Sequence, residues 1–372
     1  MGVCQLDFEP SGIRTTCKTG TLLSQAARDA GVGLVSVCGN EGTCGQCRIR
    51  ILSGTVSPPT ETERSHLSAE NCANGYRLAC RTRILGDVRI EVPCSSSLGF
   101  QKLQVKGIET RISLDPVIEQ RLLILPPADI HDTRSDYVRL MDSLKASRPF
   151  PVKSIDLMVL RRLSPLLREH NWHIRVSIRG QEIVDIGPPD RKPLGLAVDL
   201  GTTKVACYLV DMETGELLKA EGMLNPQISF GEDIISRVTW AMKGEGDTLR
   251  QVLVRDLNAM LAKLCPEPES IVEVTAVGNT VMHHLFLGLP VKQLGLTPFV
   301  TAVKAPLEIK GRDLGLHVAP GAYISLLPIV GGFIGSDHTA MILAAGIYAT
   351  KKLSWDWISV PIPKSYWCVE AQ

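Results

Sequence analysis

With 372 residues, the chain is long enough for two or three domains that each bury a core. Its formal net charge is +1 and its acidic and basic residues are interspersed, which excludes the basic footprint of a nucleic-acid-binding protein and the polybasic patch of a membrane-surface protein. The first residues, Met1 to Glu9, alternate like a strand and lack the pattern of a secretory signal, so a cytoplasmic location is expected.

Residues 1–94 have the pattern of a small mixed sheet that packs on one helix. The predicted elements are, in order, a hairpin of strands 3–8 and 13–17, a helix from Thr21 to Gly31 with Thr21 as its N-cap, a strand from Arg48, a short polar helix from Thr60, and returning strands within 82–92 around Gly86 and Asp87. A loop rich in cysteine and glycine precedes the strand at Arg48.

Four cysteines of this region have the spacing of a metal centre. Three lie in a C-x5-C-x2-C stretch and a fourth follows later in the chain: Cys38, Cys44, Cys47 and Cys80. Such a set supplies the four thiolates of a two-iron cluster. Glycines at positions 39, 42 and 45 stand where the loop must curl tightly and let backbone N–H groups approach the sulfurs. The spacing therefore predicts a [2Fe-2S] cluster with these four ligands.

Other uses of these cysteines fit less well. A four-cysteine zinc site usually has two close pairs, whereas Cys80 stands alone. Disulfides are disfavoured because 11 cysteines are an odd number in a chain without a secretory signal. Cys72 is the rival fourth ligand, but it lies in a polar stretch, whereas Cys80 follows a strand pattern. The region resembles a two-iron ferredoxin of the β-grasp type, with the longer x5 loop of adrenodoxin.

Residues 95–118 are predicted to be a linker, and residues 119–192 a small middle domain. The middle domain has two helical patterns, 135–144 and 156–170, and then a strand from Trp172. The predicted buried face of the second helix is Leu157, Leu160, Leu163 and Leu167. No residues here have a spacing typical of chemistry, so we expect a spacer or docking role.

A second chemical motif follows a proline-rich boundary. A buried strand runs into a glycine turn and a returning strand at Asp199-Leu-Gly201-Thr202-Thr203-Lys204. Such a turn directs consecutive backbone N–H groups and two hydroxyls at one place, as a polyphosphate requires. Asp199, at the strand end, is a candidate for orienting the Mg²⁺ that accompanies ATP. An ordinary hairpin is the alternative for this turn.

Three later segments favour a ligand at strand ends. Asp233 opens a polar helix, an apolar strand runs into 278–280, and the glycine-rich segment 331–337 repeats that pattern. His283 and His284 begin an apolar helix without a third ligand at helical spacing, so they are predicted to be packing or capping residues and not a metal site.

The order of these motifs resembles a known family. The ferredoxin spacing, linker and middle domain precede Asp-Leu-Gly-Thr-Thr-Lys, Asn-Pro-Gln, Gly-Asn-Thr-Val-Met-His-His-Leu-Phe-Leu-Gly and Gly-Gly-Phe-Ile-Gly-Ser-Asp, as in the reductive activators of corrinoid proteins. The resemblance covers residues 1–353. It implies a multidomain α+β and α/β fold: a β-grasp ferredoxin, a small α/β middle domain and, in 193–354, the first half of an ATPase domain of the actin, Hsp70 and sugar-kinase (ASKHA, ribonuclease H-like) superfamily.

The resemblance also implies a function. Such a protein is a redox-active ATPase that takes electrons from an upstream low-potential reductant and returns the Co(II) of a corrinoid protein in a methyltransferase system to Co(I). Its second cofactor is ATP with Mg²⁺. Asp199 would then hold Mg²⁺, Asp233 would orient water, and the phosphate contacts would be Gly201, Thr202, Thr203 and Lys204. The oligomeric state stays open, a homodimer included.

The end of the chain departs from this family. The superfamily holds ATP between two halves that each supply a D-x-G-T turn, and this chain supplies only the first. Read one base earlier, the codons of residues 355–364 permit Gly-Leu-Asp-Ile-Gly-Thr-Asn-Thr-Glu, which is the second turn. We therefore predict a one-base frameshift after about Ser354, with 355–372 a non-native tail, a prediction that sequencing the gene tests.

Whether the chain as it stands is an enzyme remains open for the same reason. Two other functions are kept as alternatives: a ferredoxin-like electron carrier whose C-terminal half is a non-catalytic docking domain, and a small-molecule kinase with an accessory cluster. Reduction of a corrinoid partner without ATP would indicate the first, and a phosphorylated product the second.

Overall fold

A computed structural model describes residues 2–35, 38–93, 96, 114–147, 151–332 and 334–345. The predicted tail from residue 355, Cys94 and most of the predicted linker lie outside these residues. Within the described ranges, no helix combines the length and the apolar character needed to cross a membrane.

The N-terminal region forms a five-stranded mixed sheet in the order β2-β1-β5-β3-β4. Its elements are β1 (Val3–Glu9), β2 (Ile13–Lys18), α1 (Leu23–Asp29), β3 (Arg48–Val56), α2 (Glu61–His66), α3 (Ala69–Ala73), β4 (Tyr76–Leu78) and β5 (Ile84–Glu91). The predicted hairpin is confirmed, since β1 and β2 pair antiparallel from Val3–Lys18 to Phe8–Ile13. Helix α1 buries its apolar face in the core of this sheet.

Two local predictions in this region are wrong. Thr21 does not cap α1, because its backbone pairs instead with the start of β5, where the Ile84 amide donates to the Thr21 carbonyl. Leu22 precedes the helix and makes no side-chain cap. The segment around Gly86, predicted to hold more than one strand, is the single strand β5, because it pairs with β3 from Ile84 to Glu91.

The middle region forms a four-stranded sheet in the order β6-β8-β9-β7. Its elements are β6 (Ile118–Ile124), α4 (Asp136–Ser147), β7 (Ser154–Ile155), α5 (Leu157–Glu169), β8 (His173–Arg179) and β9 (Glu182–Gly187). Two helices were predicted here, and both are confirmed.

The predicted apolar face of α5 is rotated from the observed one. Leu157 and Leu160 are 59% and 37% exposed. The residues that pack on the sheet are Val159, Leu163, Leu166 and Leu167. Asp156 fixes the start of the helix by accepting from the Met158 amide and from Arg312 of the next domain. This tether between domains has no signal in the local pattern.

The third region forms a six-stranded sheet in the order β12-β11-β10-β13-β15-β14. Its elements are β10 (Leu194–Leu200), β11 (Lys204–Asp211), β12 (Leu217–Leu224), α6 (Ile234–Trp240), α7 (Gly246–Leu264), β13 (Ile271–Gly278), α8 (Thr280–Leu287), β14 (Leu307–Lys310), β15 (Tyr323–Leu326) and α9 (Ser336–Ala344). Strands β10 to β12 form an antiparallel meander, and β13 and β15 join β10 in parallel. This is the order of a ribonuclease H-like sheet.

The connections place loops at one edge of that sheet. A 3-10 helix at Pro226–Phe230 leads into α6, and a π-helical turn at Ala241–Glu245 separates α6 from α7. The carboxyl ends of the parallel strands β10, β13 and β15 lie at the same edge of the sheet. There β10 leads into the turn before β11, and β13 leads into α8. This edge carries the predicted phosphate motif.

Candidate iron–sulfur centre and nucleotide turn

Four cysteine thiols converge as two pairs beside the N-terminal sheet. The sulfurs of Cys38 and Cys44 are 3.3 Å apart, and those of Cys47 and Cys80 are also 3.3 Å apart. Cys47 and Cys80 lie at the same end of two neighbouring antiparallel strands, because Cys47 precedes β3, Cys80 follows β4, and Arg48 pairs with Leu78. The four predicted ligands therefore come together two by two.

This pairing fits a group that contains two metal ions. Two thiolates on one tetrahedral ion, with bonds of about 2.3 Å, lie about 3.7 Å apart, close to the spacing within each pair. In the part of the chain that the structure describes, no group of three or more His, Cys, Asp or Glu side chains fits a single metal ion. Two close pairs of thiols match the four thiolate ligands of a two-iron cluster, with one pair for each iron.

Backbone geometry shapes the cysteine loop. Gly42 and Gly45 have φ values of +79° and +65°, a region that L side chains rarely adopt.

Burial opposes ionisation of Cys38, but its hydrogen bond with Cys44 and the nearby backbone N–H groups outweigh this and lower its pKa to about 7. The hydrogen bond with Cys80 lowers the pKa of Cys47 to about 7, and the same bond and burial raise the pKa of Cys80.

A buried ion pair holds the strand that leads to Cys80. Glu63 is fully buried, and its two carboxylate oxygens each accept from the Arg77 guanidinium at 2.9 Å. The same carboxylate accepts from the backbone N–H groups of Leu78, at 3.1 Å, and Thr60, at 2.8 Å. Burial opposes ionisation of Glu63, but these hydrogen bonds outweigh it and hold its pKa below the usual value. Helix α2 and strand β4 are thereby joined just before Cys80.

The predicted phosphate turn between β10 and β11 is supported from three sides. The Asn225 side-chain amide donates to the Gly201 carbonyl at 2.8 Å. The Asn279 side-chain amide donates to the Thr202 hydroxyl at 2.9 Å. Arg237, which is fully buried, donates to the Thr202 carbonyl at 2.6 Å. All three bonds are accepted by carbonyl or hydroxyl oxygens of the turn, so none of the three uses its backbone N–H groups.

A second turn packs against this one. The Ser336 hydroxyl, at the start of α9, lies 3.1 Å from the Gly278 nitrogen and 3.2 Å from its carbonyl oxygen. A Cβ on Gly335 would lie 2.3 Å from the Gly278 carbonyl oxygen and 2.4 Å from Asn279 Cα, so only glycine fits. The ends of β10 and β13 and the start of α9 are thus in contact.

The other predicted site residues lie as follows. Asp199 is half-buried at the end of β10, and Lys204 is half-buried at the start of β11. Thr203 is exposed. Asp233 accepts from the Ser236 amide at 2.7 Å and so caps α6. Arg237, which the sequence pattern did not single out, makes the contact from this helix to the turn.

His283 and His284 are packing residues, as predicted. Both are buried on α8. The backbone carbonyl of Thr280 lies 2.7 Å from Nδ1 of His284, and the Ala302 amide donates to its Nε2 at 3.0 Å. Burial lowers the pKa of His283 to about 4, so this residue is uncharged at neutral pH.

Three family models match the chain in succession. A 2Fe-2S iron-sulfur cluster binding domain matches residues 6–85, the RACo linker region matches 107–193, and the RACo middle region matches 194–350. The chain is 29% identical over 349 residues to the corrinoid activation enzyme RamQ of Eubacterium limosum, covering 90% of this chain and 54% of that protein. It is 33% identical over 130 residues to one component of the Na(+)-translocating NADH-quinone reductase of Marinomonas sp. (strain MWYL1), covering 34% of this chain and 30% of that one.

A solved structure has the same arrangement. The chain superposes on a reductive activator for corrinoid, iron-sulfur protein with a TM-score of 0.57 at 26% identity, over 94% of this chain and 59% of that one. Fold and site together define an iron–sulfur protein in which a ferredoxin domain precedes a ribonuclease H-like domain. Across residues 107–350 the chain matches the models of the RACo linker region and the RACo middle region in succession. It spans little more than half the length of these two relatives.

Proposed function

We propose that the chain is the electron-transferring part of an ATP-dependent reductive activator of corrinoid proteins, which returns Co(II) to Co(I) in methyl-transfer metabolism. The observation that carries this proposal is the convergence of four thiols in two pairs on a chain that also has a supported phosphate turn. The relatives' names, a corrinoid activation enzyme and a reductive activator for corrinoid, iron-sulfur protein, support the corrinoid partner.

Cys38 and Cys44 would bind one iron of the cluster, and Cys47 and Cys80 the other. The cluster, when bound, supplies a one-electron carrier. The residues of the chain hold the thiols in register: positive-φ glycines curl the loop, and the pair of Glu63 and Arg77 anchors the strand before Cys80. An upstream low-potential reductant would deliver the electron.

The nucleotide part of the proposal rests on the edge where β10, β13 and α9 meet. Backbone N–H groups of Gly201, Thr202 and Thr203 would bind phosphate, with Lys204 beside them and Asp199 holding Mg²⁺. Asp233 is the candidate for orienting water, although its hydrogen bond to Ser236 gives it a capping role as well. Nucleotide can assist an uphill electron transfer only by favouring one conformation of the protein over another.

Gly201→Ala is expected to weaken ATP binding by about tenfold or more. The added Cβ would lie 2.3 Å from the Lys204 carbonyl oxygen, so the turn has to open, at a cost of about 1–3 kcal/mol. Gly246→Ala is the matched control, because a Cβ there lies 3.7 Å from its nearest neighbour within helical backbone. Titration with Mg·ATP, followed by calorimetry, measures both variants. Equal affinities would remove this turn from the nucleotide site.

The function itself is tested with a corrinoid protein under anaerobic conditions. The chain, in its own form and with the reading frame restored after Ser354, is reconstituted with iron and sulfide and given a low-potential reductant. Visible spectra of the corrinoid then follow Co(II) and Co(I), with and without ATP. ATP-dependent formation of Co(I) is the expected result. ATP-independent reduction would indicate a plain electron carrier, and a phosphorylated small molecule would indicate a kinase.

A further inference from the structure

The ferredoxin region contacts the nucleotide-binding region through one arginine of α1. The Arg28 guanidinium lies over the Phe230 ring, 4.1 Å from its centre, and 5.0 Å from the centre of the Trp240 ring. It also donates to the Ser229 carbonyl at 3.2 Å. The two aromatic rings are themselves in edge-to-face contact at 5.5 Å. A planar cation stacked on aromatic rings is a specific contact that lysine reproduces only in part.

The cysteine loop takes part in the same contact. A Cβ on Gly39 would lie 3.0 Å from the Phe230 carbonyl oxygen, so the loop backbone lies directly against this residue. Glu41 forms an ion pair with Lys243. Gly39 and Glu41 stand between the first two cysteines of the motif, so the nucleotide-binding region covers this side of the loop.

The covering segment also reaches the phosphate turn. Arg237 donates to the Gly231 carbonyl at 2.9 Å as well as to Thr202. Gly231 directly follows Phe230, which contacts the cysteine loop. One stretch, residues 225–243, thus lies between the cysteine loop and the phosphate turn and bonds to both.

Two features of the contact between the cysteine loop and residues 225–243 are typical of a contact between domains that can open. The side chains of Glu41 and Lys243 are 54% and 51% exposed, and ion pairs that exposed contribute little to binding. Gly244, which follows the stretch, has a φ of +94° inside the π-helical turn, and π-helical interruptions are frequent at functional sites. Contacts of this kind between domains commonly permit relative motion.

We infer that residues 225–243 form a reversible dock for the cysteine loop, with Arg28 as its anchor, and that the docked loop is shielded from a protein-sized electron acceptor. Electron delivery to a protein partner then requires the cysteine loop to undock. Because Arg237 bonds to Thr202, nucleotide bound at the phosphate turn can influence this undocking. The inference rests on the proposed function in taking the loop to hold an electron carrier. It adds that access to that carrier is gated within the chain.

The test uses the full chain reconstituted with iron and sulfide, without ATP or corrinoid. The protein is reduced with dithionite, the excess dithionite is removed, and the protein is mixed with ferricytochrome c or with ferricyanide. Each chain then passes one electron to one ferric centre. Arg28→Ala is expected to speed the reaction with cytochrome c by about threefold or more and to leave that with ferricyanide unchanged. Arg28→Lys keeps the charge and should lie between wild type and Arg28→Ala.

The control is Arg14→Ala, which makes the same change in net charge at an 82% exposed side chain on β2. It is expected to match wild type with both acceptors. A second readout is hydrogen exchange of the backbone amides in 226–243, which should be faster in Arg28→Ala than in Arg14→Ala.

Equal cytochrome c rates and equal exchange in the two variants would overturn the dock while leaving the proposed function standing. A chain that reduces neither acceptor would instead contradict the proposed electron carrier. In that case the exchange measurement alone still decides whether Arg28 holds the two regions together.

Discussion

Cys80→Ser is expected to abolish assembly of the cluster. Cys80 is 1% exposed, its sulfur lies 3.3 Å from that of Cys47, and Fe–S clusters favour a soft thiolate ligand over the harder oxygen of serine. After anaerobic reconstitution, the variant should retain less than about one tenth of the iron that wild type binds. Loss of a ligand lowers metal affinity at least as much as loss of a residue that supports a ligand, which costs about tenfold or more. Iron analysis and the visible absorption spectrum measure this loss.

Cys72→Ser is the matched control for that experiment. Cys72 is half-buried on α3 and packs at the margin of the ferredoxin core, and it belongs to neither close pair of sulfurs. The variant should therefore bind as much iron as wild type. If Cys72→Ser lost the cluster and Cys80→Ser kept it, the assignment of the fourth ligand would be wrong.

Glu63→Ala is expected to destabilise the ferredoxin region by about 3–5 kcal/mol. The substitution leaves the Arg77 guanidinium, in a residue that is only 5% exposed, without its carboxylate, and an uncompensated buried charge costs that much. The Leu78 amide also loses its acceptor. Hydrogen exchange of the β5 amides in urea measures the free energy of opening of this sheet.

Glu61→Ala on the same helix is the control, because Glu61 is exposed and should change stability by less than about 0.5 kcal/mol. The pH dependence gives a second check. The pKa of Glu63 is lowered in the folded protein, so its contribution is fully present above the unfolded pKa of about 4.3 and is lost as the pH falls through the folded value. A variant as stable as wild type at pH 7 would show that the ion pair does not anchor β4.

Much of the fold follows from short-range pattern. Alternation predicts the hairpin of β1 and β2, and the strand, glycine turn and returning strand predict β10 and β11. Predictions failed where long-range contacts decide the local structure. Pairing with β5 removes Thr21 from its capping role, and packing on the four-stranded sheet decides which face α5 buries.

The candidate site likewise has features that the sequence predicts and features that depend on long-range contacts. Cysteine spacing predicts which thiols are candidates, because a ligand set has to be assembled from a few residues at short separation. Spacing does not predict their division into pairs or the support of β4 by Glu63, which joins residues 14 positions apart in sequence. Arg237 is a further case. A lone arginine in a helix carries no signal, and its contact with Thr202, 35 positions earlier, exists only in the folded chain.

The most direct test of the account is the metal content of the reconstituted wild-type chain. If each thiol pair binds one iron of a two-iron cluster, the chain should contain about two iron ions and two acid-labile sulfide ions. One zinc per chain, or iron without acid-labile sulfide, would contradict the account.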